Sequence, residues 1–176
     1  APSRGHETFV VRATPAAKSA ATKPIDIEIS VDLDAMAPGD TPVAFTYNVV
    51  GYAGTRISTN FFPASGLAAG QTGPLVLQAP GLGAPGNTDP AQDFDAEALA
   101  PGTATWRDAN YNVITWDPRG SYASGGVFQL NDPFIDGVDV KAIVDWAADN
   151  TPTILNGAGD PAVGMSGGSS GGELQL

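Results

Sequence analysis

Apolar and polar positions alternate without a break over one stretch. Ile25, Ile27, Ile29, Val31 and Leu33 interleave with Asp26, Glu28, Ser30, Asp32 and Asp34. A period of two predicts a β-strand with one face covered and the other in water, which antiparallel sheets tolerate and parallel sheets usually do not. Residues 1–24 are rich in Ala, Pro, Thr and Lys. Apart from a short strand at Phe9-Val10-Val11, they read as an N-terminal arm. Met36 to Pro42 reads as a turn, Val43 to Val50 as β-rich, and Arg56 to Phe62 as a strand stopped by Pro63.

After Gly73 the pattern changes. Leu75-Val76-Leu77-Gln78, Asn112-Val113-Ile114-Thr115-Trp116 and Ala162-Val163-Gly164-Met165 are short, largely apolar runs of the kind buried in parallel sheets. The first leads into a glycine loop, Pro80-Gly81-Leu82-Gly83-Ala84-Pro85-Gly86, and the second into Asp117-Pro118-Arg119-Gly120. Asp93 to Leu99 reads as a short helix. Asp139 to Ala148 reads as an amphipathic one, because Val140, Ile143, Val144 and Ala147 fall at i, i+3, i+4 and i+7. Asp136 or Asp139 is placed to cap its start. The order of elements predicts an α/β fold, with antiparallel N-terminal strands leading into a parallel sheet with crossover helices. The expected division is an arm over 1–24 and one domain over 25–176.

The chain has 176 residues, 42% of them apolar, enough for a real core. With 22 Gly and 15 Pro it is rich in turns and loops. A net charge of −11, with only eight Lys and Arg, excludes the basic face that nucleic-acid binding needs. No run approaches the ~18 apolar residues of a membrane helix. No cysteine is present, which removes disulfides, thiolate chemistry and cysteine-bound zinc. Ala1-Pro2 reads as an N-terminus left by cleavage, and the expected location is secreted or cell envelope. Asp89, Asp93, Asp95 and Glu97 match no calcium-loop spacing and read as a solvated acidic face. Trp106, Trp116 and Trp146 read as packing residues. Neither a metal nor an organic cofactor is expected.

The sharpest chemical signal is Gly164-Met165-Ser166-Gly167-Gly168-Ser169-Ser170-Gly171-Gly172. The pattern G-x-S-x-G fits it in three registers, centred on Ser166, Ser169 or Ser170. A nucleophilic serine of this type needs a strained turn between a buried strand and a helix, with small residues on either side. If the strand ends at Met165, Ser166 is too early and Ser170 already lies in the helix, which favours Ser169. The main-chain N–H of Ser170 would then face a developing oxyanion, with a second donor from the glycine loop, best placed at Leu82.

Taken together, Trp116-Asp117-Pro118-Arg119-Gly120, Ser124-Gly125-Gly126, Asp139-Val140 with Asp145-Trp146, and Gly159-Asp160-Pro161 leading into the serine motif resemble one branch of the α/β-hydrolases. That branch holds the X-prolyl dipeptidyl-peptidases and the cocaine-esterase-like hydrolases. The resemblance covers roughly Leu75 to Leu176. It implies the α/β-hydrolase fold, with 25–176 as the N-terminal half of the domain. It also implies a Ser-His-Asp hydrolase acting on an ester or amide, with Ser169 as nucleophile. Three positions depart from the branch: Ser170 replaces a common Tyr, Tyr122 a common Gly, and Pro80-Gly81 a common His-Gly.

The acid and the histidine of such a triad follow the serine in the chain, but only seven residues follow Ser169. The sole histidine, His6, reads as a solvated tail residue. The expectation is therefore a triad completed by sequence outside this chain, such as a second polypeptide. Asp117 and Arg119 read as a buried ion pair or a loop-fixing network. An ester hydrolase is the main reading. An X-prolyl-type peptidase, an acyltransferase and a non-catalytic binding or structural subunit are the alternatives.

Overall fold

The computed structural model describes 5–13 and 25–33 as strands, together with residues 41–175. The chain divides into two units between Ala37 and Pro38. In the first, β1 (Gly5–Ala13) pairs antiparallel with β2 (Ile25–Leu33), placing Phe9 opposite Ile29 and Val11 opposite Ile27. The strand predicted at Phe9–Val11 is therefore nine residues long. The reason is the backbone: an extended segment needs a partner for its N–H and C=O groups. The partner of β2 lies inside the stretch that composition assigned to an arm. Most of the turn predicted over Met36 to Pro42 lies outside the described residues.

The second unit is built on a five-stranded sheet. Its elements are β3 (Phe45–Val50), β4 (Arg56–Phe62), β5 (Leu75–Gln78), β6 (Phe94–Asp95), β7 (Ala100–Pro101), α1 (Thr103–Asp108), β8 (Asn112–Trp116), α2 (Asp136–Asn150), β9 (Leu155–Gly157), β10 (Asp160–Pro161), β11 (Val163–Ser166) and α3 (Ser170–Glu173). The sheet order is β11-β5-β8-β4-β3. β11, β5 and β8 are parallel, whereas β4 and β3 continue the sheet antiparallel. The predicted mixed architecture is thus present. From β5 the chain crosses to β8 on one side and then returns to β11 on the other. In open α/β sheets that reversal opens a crevice at the carboxyl ends of the strands, where ligands bind.

Alternate residues divide between the two faces of the sheet. Ile57, Phe61, Leu75, Leu77, Ala79, Ile114 and Trp116 pack with Ile143 and Ala147 of α2 in the main core. Trp146 extends that core over β3, stacked on Tyr47 at 5.3 Å and edge-on to Phe45 at 5.9 Å. The opposite face carries buried polar residues. Asn60 donates to Thr115 Oγ1 at 3.1 Å, Thr115 donates to the Asn87 carbonyl at 2.6 Å, and the Trp106 indole donates to Gln78 Oε1 at 3.0 Å. A buried sheet face of this kind is stable only when every polar group has a partner. Among the described residues no buried side-chain polar atom lacks one.

Two predicted helices need correction. Asp93 to Leu99 is not helical: β6 and β7 pair antiparallel there, and the helix follows at Thr103–Asp108. Asp95 Oδ1 accepts the N–H groups of Glu97 and Ala98, and this local bonding competes with a helix. Asp95 is also buried, so the acidic stretch is not uniformly a solvated face, although Asp89, Asp93 and Glu97 are exposed. The helix predicted at Asp139 begins at Asp136, and its N-cap position, Ile135, makes no side-chain cap bond. Neither Asp136 nor Asp139 caps it. Asp139 pairs instead with Arg119, from the loop that precedes the helix.

Candidate active site

β11 ends at Ser166 and α3 begins at Ser170. Between them Ser169 stands at φ 54°, ψ −128°, in a region that side-chain-bearing residues rarely occupy. Its neighbours make the turn possible. A Cβ on Gly167, itself at φ 155°, would lie 2.6 Å from the Ala79 carbonyl oxygen, and one on Gly171 would lie 2.4 Å from the same atom. The elbow therefore runs directly against the carboxyl end of β5, and only glycine fits on either side of Ser169. Gly171→Ala is expected to cost about 3 kcal/mol of stability by overpacking, read as a lower denaturation midpoint. Of the three candidate serines, Ser166 closes the strand, Ser170 opens the helix, and Ser169 is the exposed apex.

The glycine loop after β5 faces this elbow. Leu82 and Ser170 line one cleft, together with Trp116, Arg119, Asp136 and Leu174. The Gly81 N–H is taken up by the Glu97 carbonyl at 2.7 Å. Among the described residues the N–H groups of Leu82 and Ser170 have no acceptor. Two of the departures from the family pattern turn out to be hydrogen-bonded here. The Tyr122 hydroxyl donates to the Gly83 carbonyl at 2.8 Å, and the Ser170 hydroxyl donates to Asn131 Oδ1 at 3.1 Å. Asn131 Nδ2 in turn donates to the Ser170 carbonyl at 3.0 Å and to Glu173 Oε2 at 2.7 Å. The loop after β8 is thus fastened to both the glycine loop and α3. Asn131 carried no local sequence signal, because its partners lie about forty residues away.

Asp117 and Arg119 do not pair with each other. Asp117 accepts the N–H groups of Gly86 and Ala123, both at 3.0 Å, and so fixes two loops. Arg119 makes a two-pronged pair with Asp139: Nε to Oδ2 at 2.7 Å and NH2 to Oδ1 at 2.6 Å. Both side chains are buried, at 6% and 5% exposure. Arg119 also donates to Thr55 Oγ1 and the Tyr52 carbonyl, while the Tyr52 N–H donates to Asp139. Hydrogen bonding to Asp139 holds the guanidinium above its usual pKa.

Partial burial pushes the Asp136 carboxyl above its usual range, with the nearby Asp139 charge acting in the same direction. The folded state then holds this proton to higher pH than the unfolded chain does. The group's contribution to stability is complete below the unfolded value and falls as pH rises through the folded one. Asp136→Asn is expected to raise the melting temperature at neutral pH and to remove that part of the slope, as melting curves between pH 3 and 7 would record. Among the described residues no group of His, Asp and Glu is arranged to hold a metal ion. No described helix is long and apolar enough to cross a membrane.

The mixed sheet, the crossover to either side of β5 and the strand–serine–helix elbow define an α/β-hydrolase fold. The sequence matches the X-Pro dipeptidyl-peptidase (S15) family over residues 48–176, and the chain belongs to that family. No curated protein matches it. A CocE/NonD family hydrolase from Staphylococcus aureus superposes with a TM-score of 0.53 at 17% identity, over 98% of this chain and 28% of its own. An aminopeptidase from a marine-sediment Thaumarchaeota archaeon gives 0.52 at 19% identity, over 81% of this chain and 25% of its own. An α/β serine hydrolase without a lid from Xanthomonas campestris gives 0.51 at 15% identity, over 80% and 57%. These likenesses establish a shared fold. The chain spans about a quarter of the length of the first two.

Proposed function

We propose that this chain carries the nucleophile of a serine hydrolase, with Ser169 attacking the carbonyl of a carboxylic ester or amide, esters being preferred. The observation that carries the reading is the backbone of Ser169, held at φ 54° between β11 and α3. Strain of this kind costs about 1–3 kcal/mol and tends to persist where it serves a function. At a G-x-S-x-G elbow it lifts the hydroxyl clear of the sheet. Membership of the S15 family supports a hydrolase and keeps X-prolyl peptides among the candidate substrates.

In this reading Oγ attacks the carbonyl carbon as a general base takes its proton. The charge that builds on the carbonyl oxygen meets the N–H groups of Leu82 and Ser170. Collapse expels the alcohol or amine and leaves an acyl-enzyme, which water then resolves. Residues 41–175 contain no histidine, and His6 belongs to β1 in the other unit. Asp117 and Asp139 are already committed to loop amides and to Arg119. In this reading the base and its acid come from sequence outside this chain, in the same or a second polypeptide.

The test is fluorophosphonate labelling of the native protein that contains this chain, with peptide mapping, beside turnover of p-nitrophenyl esters and X-Pro p-nitroanilides. Label on the peptide holding Ser169, with ester turnover, is the expected result. Faster anilide than ester turnover would move the substrate to X-prolyl peptides. A folded, complete protein that takes no label and turns over neither substrate would overturn the reading in favour of a binding or structural subunit.

A further inference from the structure

Asp95 is 4% exposed, and its carboxylate is fully engaged inside the protein. Oδ1 accepts the N–H groups of Glu97 at 3.0 Å and Ala98 at 3.1 Å, and Oδ2 accepts Gln78 Nε2 at 2.7 Å. Gln78 is the last residue of β5 and is itself 1% exposed. The carboxylate thus ties the turn between β6 and β7 to the end of β5.

That turn touches the site at two places. The Glu97 carbonyl accepts the Gly81 N–H at 2.7 Å, and the Ala98 carbonyl accepts the Gly168 N–H at 2.5 Å. Gly81 immediately precedes Leu82, and Gly168 immediately precedes Ser169. Two adjacent carbonyls therefore grip the residue before the proposed oxyanion donor and the residue before the proposed nucleophile. Asp95 holds the N–H groups of the same two residues.

We infer that Asp95 is a positioning residue: through Glu97 and Ala98 it sets the spacing between the glycine loop and the serine elbow. The catalytic consequence rests on the reading of Ser169 as nucleophile, whereas the coupling of the two segments does not. Oxyanion stabilisation depends on donors held about 3 Å from the developing charge, so a small change in this spacing acts on the transition state more than on ground-state binding.

The direction of each hydrogen bond makes the inference testable. The Trp106 indole can only donate, so it fixes the Gln78 oxygen as acceptor and turns the Gln78 amide toward Asp95. Asp95→Asn would then set an amide against an amide. Exchanging the two groups, as Gln78→Glu with Asp95→Asn, restores a donor and an acceptor at every contact.

The experiment is hydrogen–deuterium exchange of segments 79–84 and 166–172 in the native protein, beside kcat, KM and the fluorophosphonate labelling rate. Asp95→Asn is expected to speed exchange in both segments. It should also lower kcat and labelling by about 10- to 100-fold while KM moves less than about threefold. The double exchange is expected to recover most of both. If Asp95→Asn alone does not fold, the double variant still decides: a folded double variant whose two segments exchange freely overturns the inference. A folded Asp95→Asn with unchanged exchange in both segments overturns it too, as does a loss of kcat that persists once exchange is restored. Altered exchange in a protein that never labels at Ser169 would instead remove the hydrolase reading and leave the coupling in place.

Discussion

Ser169→Ala is expected to lower turnover by about 10⁴- to 10⁶-fold and to abolish fluorophosphonate labelling, the scale of loss seen when a triad serine is removed. The elbow itself should survive, because the glycines on either side and the contact with Ala79 are unchanged. Residual activity above the uncatalysed rate would come from the Leu82 and Ser170 N–H groups and from substrate binding. Two controls separate the registers. Ser166→Ala at the end of β11 should leave labelling in place. Ser170→Ala should keep most activity, since the proposed donor is main chain and only the bond to Asn131 is lost. Loss of labelling in Ser166→Ala with retention in Ser169→Ala would move the nucleophile and sink the assignment. Ser169→Gly adds a stability readout. At φ 54° glycine relieves strain, so this variant should be inactive yet more stable by about 1 kcal/mol.

The second large effect concerns stability. Asp139→Ala is expected to cost about 3–5 kcal/mol, because it leaves a buried guanidinium without its counter-charge. Hydrogen bonding to Asp139 raises the Arg119 pKa, and an arginine does not escape burial by losing its proton. The Tyr52 N–H loses its acceptor in the same step. For a domain of this size the melting temperature should fall by about 10 °C, measured by calorimetry or circular dichroism. Replacing the pair together, as Arg119→Met with Asp139→Leu, should recover much of the loss, since the penalty comes mainly from the orphaned charge. A drop under 1 kcal/mol for Asp139→Ala would show that water reaches Arg119 and that the pair is not a buried anchor. The pair joins the loop after β8, the start of α2 and the turn at Tyr52–Thr55, and Arg119 lines the cleft. Its loss is therefore expected to loosen the cleft before the sheet melts.

Local pattern was enough for the strands of the main sheet. Arg56–Phe62, Leu75–Gln78 and Asn112–Trp116 lie where the apolar runs and their stops place them. Such strands are buried on both faces, so burial shows directly in residue type. The elbow was legible for a similar reason: glycines either side of a serine, after an apolar strand, are a backbone requirement written in consecutive residues. The amphipathic period located α2 but not its first turn.

Contacts between distant segments were not legible. Nothing around Ile25–Leu33 says that its partner is Gly5–Ala13, because a strand's hydrogen bonds are main-chain and carry no residue label. The stretch Asp93 to Leu99 has helical composition, but the carboxylate of Asp95 captures two neighbouring N–H groups and is itself held by Gln78, seventeen residues earlier. Asp139 looked like a cap until Arg119, twenty residues away, claimed it. Asn131 gained its role only because the loop after β8 folds back on α3. The sequence by itself determined the strands of the main sheet and the elbow, since these follow from backbone geometry and local burial. Only the tertiary structure decided which polar groups meet, because a buried charge or amide takes whichever partner the fold brings within hydrogen-bond reach.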